Sequence, residues 1–504
     1  MEIQWLTPEE LEELDPTGKG RLHLKRFKNQ RFEKLPQWYK LPDGTKPCEF
    51  LQRFHVTTLR TLKPEHQEYA SLLIDHESKL GRQGGTFPLR KLKEIVLPYW
   101  TNVERTSPYI VPQLYMARDF LLRRIRRRLR ERPLQIAWIH SAKRTCSGLP
   151  FMGHRGDFNA ESLGMKPGWR HALPAVPGER FMRGKPRSIF MLANPDFRYV
   201  ECQLTSARNW LKEQFPEYFG AWLRPDLVIV PTIASALRRH HWSVEEDYIN
   251  MDMCFSWHVV RELILPIYEV LLGDAYLRVA AYIEESFNAP LFWGEEMWTG
   301  LHNLLSGLPY TNDFETLYSV ILSLAVTLSC NLQEAALLAL GDDVTLTFKG
   351  SPSLAEKVHQ TYVEYTTPTG LLVHDDEKAR KTCQSVRFCR KVYYPQGDAY
   401  GAYPSTLSLM NILMPETLNP DMLTELAAVM QRLDNTTGSP DYYLLLKVIG
   451  AITPDEVRKV IQTADSSAFQ VDQDWWDLLY GQVWSAKDSP SYNALRALWS
   501  TNIV

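Results

Sequence analysis

ALLALGDDVTLTF, Ala336 to Phe348, is the stretch on which the reading of this chain turns. Two apolar runs flank Gly341-Asp342-Asp343, a pattern that predicts a two-stranded hairpin with adjacent carboxylates at its tip. Asp and Gly also make ordinary turns, and a plain hairpin turn is the alternative. Two carboxylates on a well-supported tip are hard oxygen ligands. They suit Mg²⁺ or Mn²⁺, which keep waters and share substrate phosphates.

Upstream, SVEEDYINMD places Asp247 and Asp252 in a D-x4-D spacing at the end of a strand-like run. Two-metal phosphoryl transfer needs carboxylates from at least two chain segments, to hold ions ~3.5–4 Å apart. Asp247 with Asp342 supplies such a pair if the two strands are neighbours; otherwise these are exposed acids at a strand end. Between them, LLSGLPYTNDFETLY sets Ser306-Gly307 three residues before Thr311-Asn312, at the start of a long apolar helix. A glycine loop at a helix N-terminus suits backbone approach to a nucleotide. Thr311 or Asn312 would serve equally as a simple helix cap.

D-x4-D, S-G-x3-T-N and G-D-D, in this order, resemble motifs A, B and C of viral RNA-dependent RNA polymerases. The wording DYINMD, the T-N pair and the spacing of the later segments are most similar to the picobirnavirus and partitivirus group of double-stranded RNA viruses. GKPRSIFML, whose RSIFML reads as strand-like, resembles motif F, with Lys185 and Arg187 as the basic pair that grips the incoming triphosphate. TCSGLPF resembles the template-guiding motif G through Ser147, Gly148 and Pro150. LLVHDDEKARK resembles motif D, aligning Lys378 with its lysine, and VRFCRKVYYP resembles motif E. One departure stands before Ser306: Leu304-Leu305 occupy the place where related enzymes often carry proline.

The resemblance implies an α+β right hand. Residues 1–60 mix charge, Pro and Gly, including LPDGTKP from Leu41 to Pro47, and by that content read as an extended N-terminal arm with little helix; residues 61–240 would form the fingers, with motifs G and F. Residues 241–400 would form an antiparallel-sheet palm with motifs A to E and an inserted finger segment, and 401–504 a helical thumb. It implies Mg²⁺ (or Mn²⁺) on Asp247 and Asp342, with Asp343 in support, and Lys378 as proton donor to pyrophosphate. His374 is the rival acid. Asp252 and Asn312 would sense the ribose 2′-hydroxyl, and Ser306, Gly307 and Thr311 would line the nucleotide. The implied partners are template RNA, product duplex, NTPs and a viral capsid protein. The implied location is the host cytoplasm, inside the virion or core particle.

Composition agrees with such a chain. Its 504 residues give a prior of about three domains. Hydrophobic residues at 44% and charged residues at 23% exclude disordered, collagen-like and coiled-coil classes. Seven scattered cysteines without a C-x-x-C pair indicate neither a disulfide framework nor a zinc site, and a reducing compartment is expected. The start of the chain lacks signal-peptide order, and the longest apolar stretch, Leu317 to Cys330, is too short to span a bilayer; a soluble intracellular protein is expected.

A net charge of −2 hides a local field. A helix is predicted from Pro112 to Arg132, carrying Arg118, Arg123, Arg124, Arg126, Arg127, Arg128, Arg130 and Arg132 against only Asp119 and Glu131. That imbalance favours polyanion contact, with Arg123 and Arg127 toward RNA, over a solvated helix face. Three rivals complete the reading: a reverse transcriptase, a non-catalytic RNA-binding or packaging protein, and a polymerase impaired by the altered loop before Ser306.

Overall fold

A computed structural model describes residues 1–27, 38–42, 44–81, 87–104, 109–125, 128–132, 146, 148–150, 152–153, 173–182, 185–192, 196–374, 379–415, 421–469 and 485–500. Along these run β1 (Glu2–Trp5), β2 (Ala175–Met182), β3 (Lys185–Leu192), β4 (Trp242–Glu246), β5 (Leu291–Trp293), β6 (Glu296–Thr299), β7 (Gln333–Leu340), β8 (Asp343–Lys349), β9 (Arg380–Thr382), β10 (Val386–Phe388) and β11 (Lys391–Tyr393). The rest of the regular structure is helical, so the chain is a mixed α and β protein.

A four-stranded antiparallel sheet, in the order β7-β8-β4-β9, carries the acidic residues. Its strands alternate as a two-sided sheet must. Leu337 and Ala339 enter the main core, whereas Leu338 turns to a second cluster with Val386, Phe388 and Tyr393. The Thr311–Ser329 helix packs against β7. It has no interior Gly or Pro, and its residues from Phe314 to Val326 are buried on nearly every side apart from Glu315. A helix apolar all round needs cover all round, and the Pro112–Arg124 and Pro352–Thr366 helices complete it.

A five-stranded sheet, β1-β6-β5-β2-β3, forms from three distant stretches of chain. Its β3 edge reaches the loop before the Thr311–Ser329 helix, where the Phe190 amide donates to the Ser306 carbonyl at 2.9 Å. A separate apolar core joins the C-terminal helices Ser405–Leu413, Met422–Asp434, Tyr442–Ile452 and Pro490–Ser500.

Two expectations are corrected. The described part of residues 1–60 is not an extended arm: β1 pairs with β6, and the Pro8–Leu14, Lys19–Lys25 and Pro47–Thr61 helices follow. Leu51 and Phe54 explain the difference, since they are buried in the C-terminal helical core and give the last of these helices an apolar face to fold on. The arginine helix also stops early, at Arg124. Closely spaced like charges oppose further turns, and residues 128–132 spend their hydrogen bonds elsewhere. The Leu129 amide donates to the Leu271 carbonyl, and Gln203 brackets the Arg132 backbone from both sides.

Candidate active site

Register brings the acids together. Glu246 of β4 lies opposite Val344 of β8, so Asp247 and Asp343, the next residue on each segment, come to the same end of the ladder. Leu340 pairs with Asp343, leaving Gly341-Asp342 as a two-residue turn at the same end. Gly341 takes φ +61, a conformation glycine adopts without steric cost. Asn250 also has positive φ, at +50, and this turn folds the chain back so that Asp252 returns to the site.

The charges register this proximity. Burial, the Asp342 charge and the Asp247 charge push the Asp343 carboxyl up to about 7. Asp342 is raised too, by burial and then by Asp247, against the Arg187 guanidinium. Asp252 is raised by burial, with hydrogen bonds from Tyr99 and Met253 and the Arg187 charge opposing. Exposed Arg187 on β3 therefore faces the carboxylates from the other sheet. His374 lies beside Asp247, with Nε2 3.9 Å from Oδ2.

Among the described residues, no three ligating side chains are gathered closely enough to hold an ion by themselves. Mg²⁺ does not ask for that. It takes one or two carboxylates and completes its shell with waters and phosphates. Exposed, mutually repelling, all-oxygen donors on Asp247, Asp342 and Asp343 fit such an ion, because they remain open to the waters and phosphates that complete its shell.

No protein-family model and no curated protein matches this chain. Solved structures do. The RNA-dependent RNA polymerase of a human picobirnavirus superposes with a TM-score of 0.73 at 18% identity, over 92% of this chain and 94% of that one. An insertion-loop deletion mutant of a human picobirnavirus polymerase gives a TM-score of 0.70 at 16% identity, over 98% and 100% of the two chains. This chain has the picobirnavirus polymerase fold.

In that fold the loop before the Thr311–Ser329 helix is held on two sides. Thr311 Oγ1 donates to the Leu305 carbonyl at 2.9 Å, while Ser306 accepts from Phe190. Gly307, at φ +95, lies against Ile189 and Phe190. Leu304 and Leu305, which stand where a proline was expected, are 1% and 0% exposed. They anchor the loop by burial. Thr311 is not the helix cap; it is the first helical residue, and Tyr310 precedes it at the cap position. Gly148 and Pro150 are described, and neighbouring Leu149 is buried against Gly20. Arg123 is exposed at the end of its helix. Arg118 and Arg124 instead lie over the rings of Tyr115 and Phe120. Ser147, Arg127, Lys378 and the side chain of Lys185 lie outside the described residues.

Four residues were missed. Thr316 Oγ1 accepts from the Gly341 amide at 2.8 Å, and Ser319 Oγ donates to the Gly341 carbonyl at 3.0 Å. The acidic turn is thus bolted to the helix through its backbone. Glu315 lies beside the same turn, and its carboxyl is driven well above the usual carboxylate range by burial and then by Asp252 and Asp342. Asn312, given a sugar-sensing role by the resemblance, is also at the turn: a Cβ on Gly341 would sit 2.7 Å from its Nδ2. The i, i+3, i+4 and i+7 spacing from Asn312 through Ser319 was the available signal. The fourth, Tyr99, donates to Asp252 Oδ2 at 2.6 Å, and no local pattern announces it.

The raised Asp343 has a consequence for stability without a divalent cation. Its folded-state pKa, about 7, exceeds the usual carboxylate value, so the folded chain holds a proton that the unfolded chain releases. Stability is therefore lost as pH rises from about 4 through 7. Asp343→Asn should raise the unfolding midpoint in chelator at pH 8 by more than at pH 5, because the carboxylate it removes is ionised in the folded chain only at the higher pH. Denaturant titrations at the two pH values measure this, and equal shifts would contradict it.

Proposed function

We propose that the chain is an RNA-dependent RNA polymerase that copies and transcribes a double-stranded RNA virus genome. The observation that carries the proposal is the β4–β8 register, which sets Asp247 against Asp342-Asp343 on this fold, with Arg187 facing them. In this reading the five-stranded sheet belongs to the fingers, the four-stranded sheet is the palm, and the C-terminal helices are the thumb. Mg²⁺ (or Mn²⁺) held by Asp247 and Asp342, with Asp343 behind, would neutralise phosphate charge and acidify the primer hydroxyl.

The protein's own groups do the remainder. Arg187, with Lys185, neutralises triphosphate charge through a fixed guanidinium fork. Asp252 offers a carboxylate to the sugar 2′-hydroxyl, which distinguishes ribo- from deoxyribonucleotides. The Ser306-Gly307 loop lets backbone approach the nucleotide, since Gly307 adds no side chain there. Lys378 or His374 supplies the proton to pyrophosphate. Gly148, Pro150 and the arginines near Arg123 and Arg127 contact RNA phosphates without reading sequence. A capsid protein in a virion or core particle, in the host cytoplasm, completes the setting. Among the described residues, no helix is long and apolar enough to cross a membrane.

The test is incorporation of labelled NTPs and dNTPs on a short single-stranded RNA template with Mg²⁺. Template-dependent synthesis from NTPs supports the proposal. Preferential use of dNTPs would make the chain a reverse transcriptase instead, and RNA binding without synthesis would favour a packaging protein.

A further inference from the structure

Asp252 does not stand free in its short helix, Met251–Cys254. Its Oδ1 accepts from the Met253 amide at 2.9 Å, and its Oδ2 accepts from the Tyr99 hydroxyl at 2.6 Å. A carboxylate offers about four lone-pair directions, and these two donors occupy one on each oxygen. The plane of the group is thereby set, and the unoccupied directions are left for a ligand.

Tyr99 is itself fixed from several sides. Its ring is 1% exposed and meets Phe190 of β3 edge-on, with centroids 4.9 Å apart. Its carbonyl accepts from the Asn303 amide at 2.9 Å, and Asn303 Nδ2 donates to the Met253 carbonyl at 2.8 Å. The phenol thus stands where three segments converge: the one bearing Asp252, the one leading to the Ser306 loop, and the strand bearing Arg187. A phenylalanine would fill the same space and make the same ring contact. The hydroxyl adds one thing only, a donor aimed at Asp252.

We propose that Tyr99 is a positioning residue for sugar selection, holding Asp252 so that its open lone pairs meet the 2′-hydroxyl of a ribonucleotide. The inference rests on the polymerase reading above and deepens it. Burial keeps the phenol well above its ordinary pKa, so it remains a donor throughout the working pH range. Without that donor the carboxylate turns, and a ribonucleotide loses its best acceptor while a deoxyribonucleotide loses nothing. Selectivity then falls through the ribonucleotide arm. Such one-sided losses are how a polar site discriminates against an analogue lacking a hydroxyl.

The experiment compares kcat/KM for an NTP and the matching dNTP on one RNA template, for wild type, Tyr99→Phe, Asp252→Ala and the double variant. Tyr99→Phe is expected to lower the NTP/dNTP ratio about tenfold, mainly by slowing NTP use. In the Asp252→Ala background the same change should leave the ratio as it is. Equal losses for both nucleotides would overturn the inference, because a merely structural tyrosine acts on both alike. So would an unchanged ratio, or a full effect in the absence of Asp252. Should Tyr99→Phe fail to fold, Asp252→Ala alone still decides: a ratio equal to wild type refutes the inference. A wild type that uses neither nucleotide overturns the polymerase reading and this inference with it. A wild type that uses both without preference overturns the inference and leaves the polymerase standing.

Discussion

Asp342→Asn is expected to lower nucleotide incorporation by three orders of magnitude or more while the chain stays folded and binds RNA. Asp342 sits in the two-residue turn at the strand ends where Asp247 and Asp343 converge, and its carboxyl already feels the Asp247 charge. Removing one of two carboxylates that would hold the ions takes away several kcal/mol of charge stabilisation in phosphoryl transfer. At ~1.4 kcal/mol per factor of ten, about 4 kcal/mol gives the expected loss. The fold should not suffer, because the turn is anchored through Gly341 backbone groups on Thr316 and Ser319 and not through the Asp342 side chain. Single-nucleotide incorporation, thermal unfolding and RNA binding, measured together, check all three parts. Activity within tenfold of wild type would remove Asp342 from the proposed metal site.

Arg208→Ala is expected to carry the largest cost in stability. Arg208 Nη1 meets Asp313 Oδ1 at 3.1 Å, with side-chain exposures of 11% and 2%. Breaking such a pair from one side strands a charge in the core, which costs about 3–5 kcal/mol. The stranded carboxylate would lie in the first turn of the Thr311–Ser329 helix, two residues before Glu315. Loss of order there should also loosen the acidic turn held by Thr316 and Ser319. Arg208→Ala with Asp313→Ala should recover part of the loss, because no unpaired charge then remains. Equilibrium denaturation of the single and double variants measures the coupling. A loss below about 1 kcal/mol in Arg208→Ala would mean that water reaches Asp313 once the arginine is gone.

Local chemistry made some of this legible in advance. The Gly341 hairpin declares itself through an apolar run on each side of a turn-forming triplet, and the helix after Pro309 through its unbroken apolar length. Both signals act over a few residues. The strand at Arg187 was readable for the same reason. Even the mistakes were local. Charge, Pro and Gly before residue 60 read as open chain because Leu51 and Phe54 find their cover more than 350 residues later, in the Ser405–Leu413 helix and its neighbours.

The sequence by itself determined which residues could do chemistry: paired acids, a basic strand, a glycine loop and a long apolar helix, in an order that resembles one group of polymerases. Tertiary structure alone decided who meets whom. Asp247 comes within reach of Asp343 because β4 and β8 pair in one register, and a shift of a single residue would turn the side chains of β4 to the opposite face. Tyr99 reaches Asp252 across 153 residues, and Arg208 reaches Asp313 across 105. Such contacts leave no mark in a window of neighbouring residues. They follow from burial, which forces a polar group withdrawn from water to find its partner wherever the folded chain supplies one.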